Sequence, residues 1–382
     1  MRAAQFHAAR DIRIEDIPRP EASSDKILVE VEWCGICGSD LNEYTRGPFA
    51  IPPPGRPHPL TKATLPIPLG HEFSGRIVHI PESLSSSTSL YKGQPVFIDA
   101  RFYCKACAAC NSSATNICET LGFMGLSGGG GGLSECVAVE PDHILPLPET
   151  LPDGTKIDLA AAALIEPLCV AWHGLALYRG IANLNDKEGS LGDMPILVVG
   201  AGPVGIAMIY VLRAQGTKRV FVSEVSKARR ETAADIGKDV IAGVFDPTED
   251  DIAAKCKELS GGGGVAAVFD CAGAQAGFDA GCQSLRFRGV YVNLALPKTP
   301  ITIPIGSFLF KELMYRCSLA YEAKDVKETV DAFVQGRFQG VERMITRRIH
   351  LEDVVEKGFE ELIKPNEHIK ILTTPKRDNL PR

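Results

Sequence analysis

PILVVGAGPVGIAMIYVLRA, residues 195–214, decides how the chain folds. No residue from Met194 to Leu212 is charged, and a run that long and apolar resembles a membrane span. Pro195, Gly200, Gly202, Pro203 and Gly205 interrupt it. Aliphatic residues up to Val199, glycines in the middle and a helical composition through Ala214 read instead as a strand, a tight turn and a helix buried in an α/β layer. No second stretch resembles a span, so no membrane role is expected.

The segments that follow repeat the pattern. RVFVSE (219–224) precedes the helical KARRETAADIG, VAAVFDCAG (265–273) precedes another helix, and GVYVNLAL (289–296) closes the series. Apolar strands alternating with helices predict a parallel, doubly wound sheet. In Gly200-Ala-Gly202-Pro203-Val204-Gly205, Gly200 permits the turn, Gly202 admits a pyrophosphate against the backbone, and Gly205 lets helix pack on strand. The helix N-terminus then offers its amides and positive dipole end to the phosphates. Glu224 ends the next strand, 19 residues past Gly205, where a carboxylate accepts hydrogen bonds from a ribose diol and repels a 2′-phosphate. The reading is a dinucleotide site that favours NAD, with Arg229 beside the adenosine. The other glycine runs, 128–132 and 261–264, read as connectors.

The first 150 residues are β-rich. KILVEVEW (26–33), SGRIVHI (74–80), QPVFIDA (94–100) and SECVAVE (134–140) are short strand-like runs. The stretch 44–70 is too rich in proline for regular structure. DLAAAALIEPLCVAWHGLALYRG (158–180) is helical in composition, with a break expected at Pro167. The tail reads as two helices, AKDVKETVDAFVQGRF and HLEDVVEKGFEELI, followed by the strand IKILTTP (369–375) that returns to the first domain.

The 382 residues suffice for two domains. The net charge of −6 is spread along the chain, and no basic block marks a nucleic-acid or membrane-surface partner. The first twenty residues lack the apolar segment of a signal peptide, so a cytoplasmic protein with reduced thiols is expected. Clustered cysteines then point to metal. Cys104, Cys107, Cys110 and Cys118 lie within 15 residues and can close a tetrahedron around a structural zinc. A catalytic zinc needs fewer protein ligands and an exchangeable position. Cys37, in WCGICGSDLNEY, together with His71, Glu72 and Glu166, supplies candidates for it.

GICGSDL, GHEFSG, the cysteine quartet, EPLCVAWHG and GAGPVG occur in the order found in the zinc-dependent medium-chain alcohol dehydrogenases, and the chain resembles that superfamily over nearly its whole length. HPLTKATLPIPLGHEFSG and LSGGGGGLSE are most similar to the (R,R)-butanediol and sorbitol dehydrogenase branch. The resemblance implies an α/β protein. A GroES-like β-rich catalytic domain, residues 1–167 completed by 318–382, would be joined to a Rossmann cofactor domain, residues 168–317. It implies two zinc ions per chain and NAD. Cys37 and His71 would hold the catalytic zinc with Glu72, Glu166 or both, and Asp40 would orient the histidine. Cys34 becomes a bystander, not half of a redox pair.

The implied reaction is reversible oxidation of a secondary alcohol, foremost a vicinal diol such as 2,3-butanediol. A polyol, a threonine-type amino alcohol, and a cofactor-binding sensor without catalysis are the alternatives. Ser39 matches the hydroxyl that takes the alcohol proton, while Asn42 stands where many relatives carry histidine. An amide does not titrate near neutral pH. The remaining expectations are that His58 is a surface residue and His173 a packed helix residue, that Tyr44 and Phe49 shape a pocket, and that the protein is a homodimer or homotetramer.

Overall fold

The computed structural model describes residues 1–85, 88–184, 191–364 and 367–380. The chain divides into two compact units. One comprises Met1–Glu166, Glu322–Arg337 and Met344–Arg382, and the other Pro167–Tyr321 and Phe338–Arg343.

The first unit is built on Ile27–Gly35, buried at every residue except Glu30 and Glu32. It pairs antiparallel with Glu72–His79, Cys136–Val139 and Lys370–Thr374. The sheet continues through Pro95–Ile98 to Ile144–Pro146 on one side, and to Ile345–His350 on the other. The tail thus supplies two strands, of which the sequence reading identified only the last. An apolar core of Phe6, Val29, Val31, Phe73, Ile77, Phe359 and Ile371 lies against this sheet. Residues 351–362 do not form the expected single helix. They pass through a short 3₁₀ turn, a π-helical stretch Val354–Phe359 and one short α-turn. Gly358 there packs so tightly on Ile36 that a Cβ would stand 2.6 Å from its Cδ1.

The expected break is present but lies four residues before Pro167: a short helix Leu159–Ala162 ends there, as the clash of a proline ring with the carbonyl four residues earlier requires. The helix Ile165–Ile181 begins two residues before Pro167, so the proline occupies the first turn, where a missing N–H costs no intrahelical bond.

The second unit holds a six-stranded, fully parallel sheet. Its order is Ile241–Phe245, Val220–Ser223, Ile196–Val199, Val265–Asp270, Leu285–Asn293, Met314–Cys317. Numbered along the chain, that order is 3-2-1-4-5-6, the doubly wound arrangement. The expected strands are present. Ile241–Phe245 and Met314–Cys317 were not anticipated, because the first contains Ala and Gly and the second reads MYRC, with all four residues exposed. The stretch that imitated a span is the buried strand Ile196–Val199 and the helix Pro203–Ala214. Among the described residues no helix is long and apolar enough to cross a membrane.

Candidate functional site

Cys37 caps the helix Gly38–Arg46, and its amide donates to Asp40 Oδ2 at 2.9 Å. His71 and Glu72 open the strand Glu72–His79 directly after Gly70, which has φ +96°. The ligating atoms of Cys37, His71 and Glu72 all lie within 4.8 Å of one another. Ser39 Oγ is 3.1 Å from His71 Nε2, and Asp40 Oδ1 is 3.4 Å from Nδ1. One imidazole nitrogen therefore faces the donor group, and the other is backed by a carboxylate, the arrangement that fixes a ligating histidine.

The glycine run 128–132 is more than a connector. Gly132 and Leu133 amides donate to Gly70 and Leu69 carbonyls at 2.8 Å. A Cβ on Gly131 would strike the Leu69 carbonyl, and one on Gly132 the ring of Phe73. The run braces the turn that carries His71 and Glu72. His58 is buried beside it, accepting from Leu60 and Thr61 amides, and is not the surface residue expected.

Glu72 has a partner the sequence reading missed. Lys370, buried in the last strand, places Nζ 2.8 and 2.6 Å from the two carboxylate oxygens. Its only advance signal was a lone lysine inside an apolar strand. Gly35 makes room, since a Cβ there would collide with Glu72 Oε2. Glu166 is buried, yet it is not part of the close group of donor atoms. Its charge acts with that of Glu72 to hold Lys370 protonated against burial. The structure thus brings Glu72, and not Glu166, to Cys37 and His71.

The donor chemistry fits a zinc ion. Asp40 Oδ1 and His71 Nδ1 are buried without a well-aligned hydrogen bond. Burial disfavours the imidazolium, but Asp40 and then Cys37 outweigh it and push His71 well above its usual range. The pocket therefore already favours positive charge, and sulfur, nitrogen and carboxylate oxygen are zinc donors.

The quartet fits more closely still. Thiolates about 2.3 Å from a tetrahedral centre stand about 3.8 Å apart. Cys104 and Cys118 are 3.6 Å apart, Cys104 and Cys110 3.9 Å, and Cys107 and Cys118 3.9 Å. No disulfide joins them. Backbone amides hold the Cys104 and Cys107 thiols low, whereas burial and neighbouring thiols push Cys110 up to about 12. Arg101, fully buried against Asp99 at 2.6 Å and bonded to Thr115 Oγ1, anchors the loop from beneath.

In the second unit, Gly200 turns with φ +89° and Gly202 caps the helix that Pro203 and Val204 begin. A Cβ on Gly205 would collide with the Gly200 carbonyl. Glu224 is buried, with Oε2 accepting from the Ala201 amide at 2.7 Å and Oε1 from the Ser226 amide at 2.8 Å. The carboxylate is thereby fixed beside the glycine turn. Arg230 pins the chain behind it, donating to the Glu224 carbonyl at 2.8 Å and pairing with Asp246 at 2.8 Å. Arg229 reaches over the turn, with Nη1 3.8 Å from where a Gly202 Cβ would stand. The open face of Gly202 and the helix N-terminus behind it leave the cradle a pyrophosphate requires.

Asn42 accepts from Arg46 at 3.2 Å on the exposed side of its helix. Tyr44 faces the interior instead of a pocket, donating to Glu360 at 2.5 Å with its ring 5.2 Å from that of Phe359. Phe49 is exposed, with the Arg46 guanidinium 5.8 Å over its ring. His173 is buried, as expected for a packed helix residue.

Residues 23–149 match the alcohol dehydrogenase GroES-like domain, and residues 203–335 the zinc-binding dehydrogenase domain. The chain is 36% identical over 376 residues to an (R,R)-butanediol dehydrogenase of Neisseria gonorrhoeae, covering 98% of this chain and 99% of the relative. It is 35% identical to the (R,R)-butanediol dehydrogenase of Saccharomyces cerevisiae, covering 98% of each. The crystal structure of 2R,3R-butanediol dehydrogenase from Bacillus subtilis superposes with a TM-score of 0.85 at 32% identity, over 98% of this chain and 99% of that one.

Proposed function

The chain belongs to the zinc-binding alcohol dehydrogenases, and from that premise we propose that it interconverts 2,3-butanediol and acetoin by exchanging a hydride with NAD. The chemistry rests on the convergence of Cys37, His71 and Glu72 on one small volume. The diol rests on full-length similarity to (R,R)-butanediol dehydrogenases.

Cys37, His71 and Glu72 would hold one zinc, and Cys104, Cys107, Cys110 and Cys118 a second that shapes its loop. When bound at the first site, zinc supplies the Lewis acidity that makes an inert hydroxyl acidic near neutral pH. Asp40 keeps the His71 ring in its orientation. Lys370 balances Glu72 and so limits the charge at the site, with the Glu166 charge adding to the field that keeps Lys370 protonated. Ser39, within reach of His71, both donates and accepts, so it takes the alcohol proton and passes it on without holding charge. Asn42 does not continue that path by titration, and the proton leaves through solvent.

Gly200, Gly202, Pro203, Val204 and Gly205 would cradle the pyrophosphate, and Glu224 would accept the ribose hydroxyls. Because two amides fix that carboxylate, it cannot swing aside for a 2′-phosphate, which favours NAD over NADP. Arg229 would cover the adenosine. We read the first unit as the catalytic domain and the second as the cofactor domain.

We also infer a homodimer through the edge of the parallel sheet. Met314–Cys317 has exposed side chains and a free edge, and Ile305, Leu309 and Phe310 on the adjacent helix are at least 73% exposed. A second copy related by a two-fold axis would pair with that edge and cover this apolar surface.

Reduced nicotinamide formed from NAD with (2R,3R)-butanediol, meso-butanediol, sorbitol, xylitol and threonine tests the assignment. Turnover highest on a butanediol supports it, and turnover highest on a polyol or threonine refutes it.

A further inference from the structure

In a doubly wound sheet the ligand lies outside the carboxyl ends of the strands, where the strand order reverses. Here the reversal falls between Ile196–Val199 and Val265–Asp270. One bank of that crevice is the glycine turn already described. The other is the turn Asp270-Cys271-Ala272-Gly273.

Two turns so placed must hold a fixed separation. A Cβ on Gly200 would stand 3.0 Å from Ala272 Cβ, and the Cys271 amide donates to the Val199 carbonyl at 2.9 Å. The conformation of residues 270–273 therefore sets the floor under Gly200. What sets the conformation is a buried carboxylate. Asp270, 2% exposed, accepts at Oδ1 from the Ala272 and Gly273 amides at 2.9 and 3.0 Å, and at Oδ2 from the Tyr291 hydroxyl at 2.9 Å.

Tyr291 reaches it from the neighbouring strand, where its own register partner is Val268. The ring is fully buried, 4.8 Å from Phe278 and stacked at 5.7 Å on Tyr315 of the edge strand. Burial, and then the Asp270 charge, push the phenol well above its usual range, so it stays a donor. Gly281 opposite has no room for a Cβ, which would lie 2.8 Å from the ring. The hydroxyl is thus held at one height, and through the carboxylate so is the turn. A carboxylate buried among aromatic rings is costly, and an apolar pair would fill this space more cheaply. The observed pair instead ties two backbone amides of the turn, those of Ala272 and Gly273, to one fixed carboxylate.

We propose that Tyr291 and Asp270 are positioning residues for the dinucleotide: their hydrogen bond fixes the 270–273 turn against Gly200 and so sets the affinity for the cofactor without touching the alcohol chemistry. This rests on the cofactor site proposed above.

The test is the full chain carrying Tyr291→Phe, which keeps the ring and deletes the hydroxyl, beside Asp270→Ala and Asp270→Asn. Equilibrium binding of NADH and of NADPH is measured, together with kcat and KM for nucleotide and for butanediol. Loss of a hydrogen bond to a charged group predicts an about tenfold or greater weakening of nucleotide Kd and KM in Tyr291→Phe. Its kcat and butanediol KM stay within about twofold of wild type, since no group at the alcohol site changes. Asp270→Asn, which retains an acceptor for the two amides, lies between Tyr291→Phe and Asp270→Ala. Unchanged nucleotide Kd in Tyr291→Phe, or a fall in kcat with nucleotide KM constant, overturns the proposal. Should Asp270→Ala fail to fold, Tyr291→Phe decides alone. A wild-type protein that binds neither nucleotide overturns the cofactor reading itself, a different result from wild type and variants binding equally.

Discussion

Lys370 and Glu72 are 298 residues apart in sequence and form a bidentate ion pair at 2.8 and 2.6 Å, both 1% exposed. The last strand of the chain thereby reaches the candidate zinc site and neutralises one of its donors. Removing one member of such a pair leaves an uncompensated internal charge, which costs about 3–5 kcal/mol. Lys370→Met should therefore destabilise the chelator-treated protein by about that amount in urea unfolding, and Glu72→Gln added to it should restore most of the loss. A single variant as stable as wild type would show that the pair is not formed.

Asp40 acts on the metal only through His71. Asp40→Asn should weaken metal binding at that site by about ten- to a hundredfold. Competition with a graded series of chelators measures this. The four-cysteine site serves as an internal control and should keep its ion.

Glu224 is fixed by two backbone amides. Two charges a few ångströms apart near a protein surface interact by about 1–4 kcal/mol. Glu224→Ser should accordingly raise NADP efficiency relative to NAD by about ten- to a hundredfold. Steady-state kcat/KM with both nucleotides gives the ratio. An unchanged ratio would mean that the carboxylate does not face the ribose.

At residue 42 an amide replaces a titrating group. Histidine has an ordinary pKa of about 6.5. Asn42→His should therefore add an ionisation near neutral pH to the alcohol-oxidation profile, with the rate rising as the imidazole loses its proton and can accept one. Superimposable pH–rate profiles for wild type and variant would show that this position does not govern proton release.

The exposed apolar helix beside the edge strand predicts self-association. Replacing Leu309 and Phe310 with aspartate places two charges in the surface a second copy would cover. Sedimentation velocity should then shift from dimer to monomer, and an unchanged profile would locate the interface elsewhere.

Much of this was legible in the residues because local signals were strong. Gly200, Gly202 and Gly205 follow an aliphatic run, and the position of Glu224 agreed with them. The cysteine quartet announced itself by density, and its sulfur separations suit a tetrahedron. Other features were hidden because they depend on long-range contact. Lys370 meets Glu72 only after the tail strand pairs with Ile27–Gly35. The run Gly128–Gly132 looked like a connector because nothing local reveals that Leu69 and Phe73 press on it. His58 was misread as exposed because its proline-rich surroundings imply surface, whereas its burial comes from the Gly122–Ser127 segment. That the Glu72 carboxylate stands with Cys37 and His71 also needed three dimensions, since Glu72 and Glu166 are both acids beside apolar runs. Met314–Cys317 escaped notice because it is a four-residue edge strand, exposed at every position and without apolar alternation.

Metal content and turnover measured together on wild type and Cys37→Ser test the central claim most directly. The account predicts about two zinc ions per wild-type chain, about one in the variant, and near-complete loss of butanediol oxidation with NADH binding retained. Full turnover in a variant that has lost one ion would contradict it.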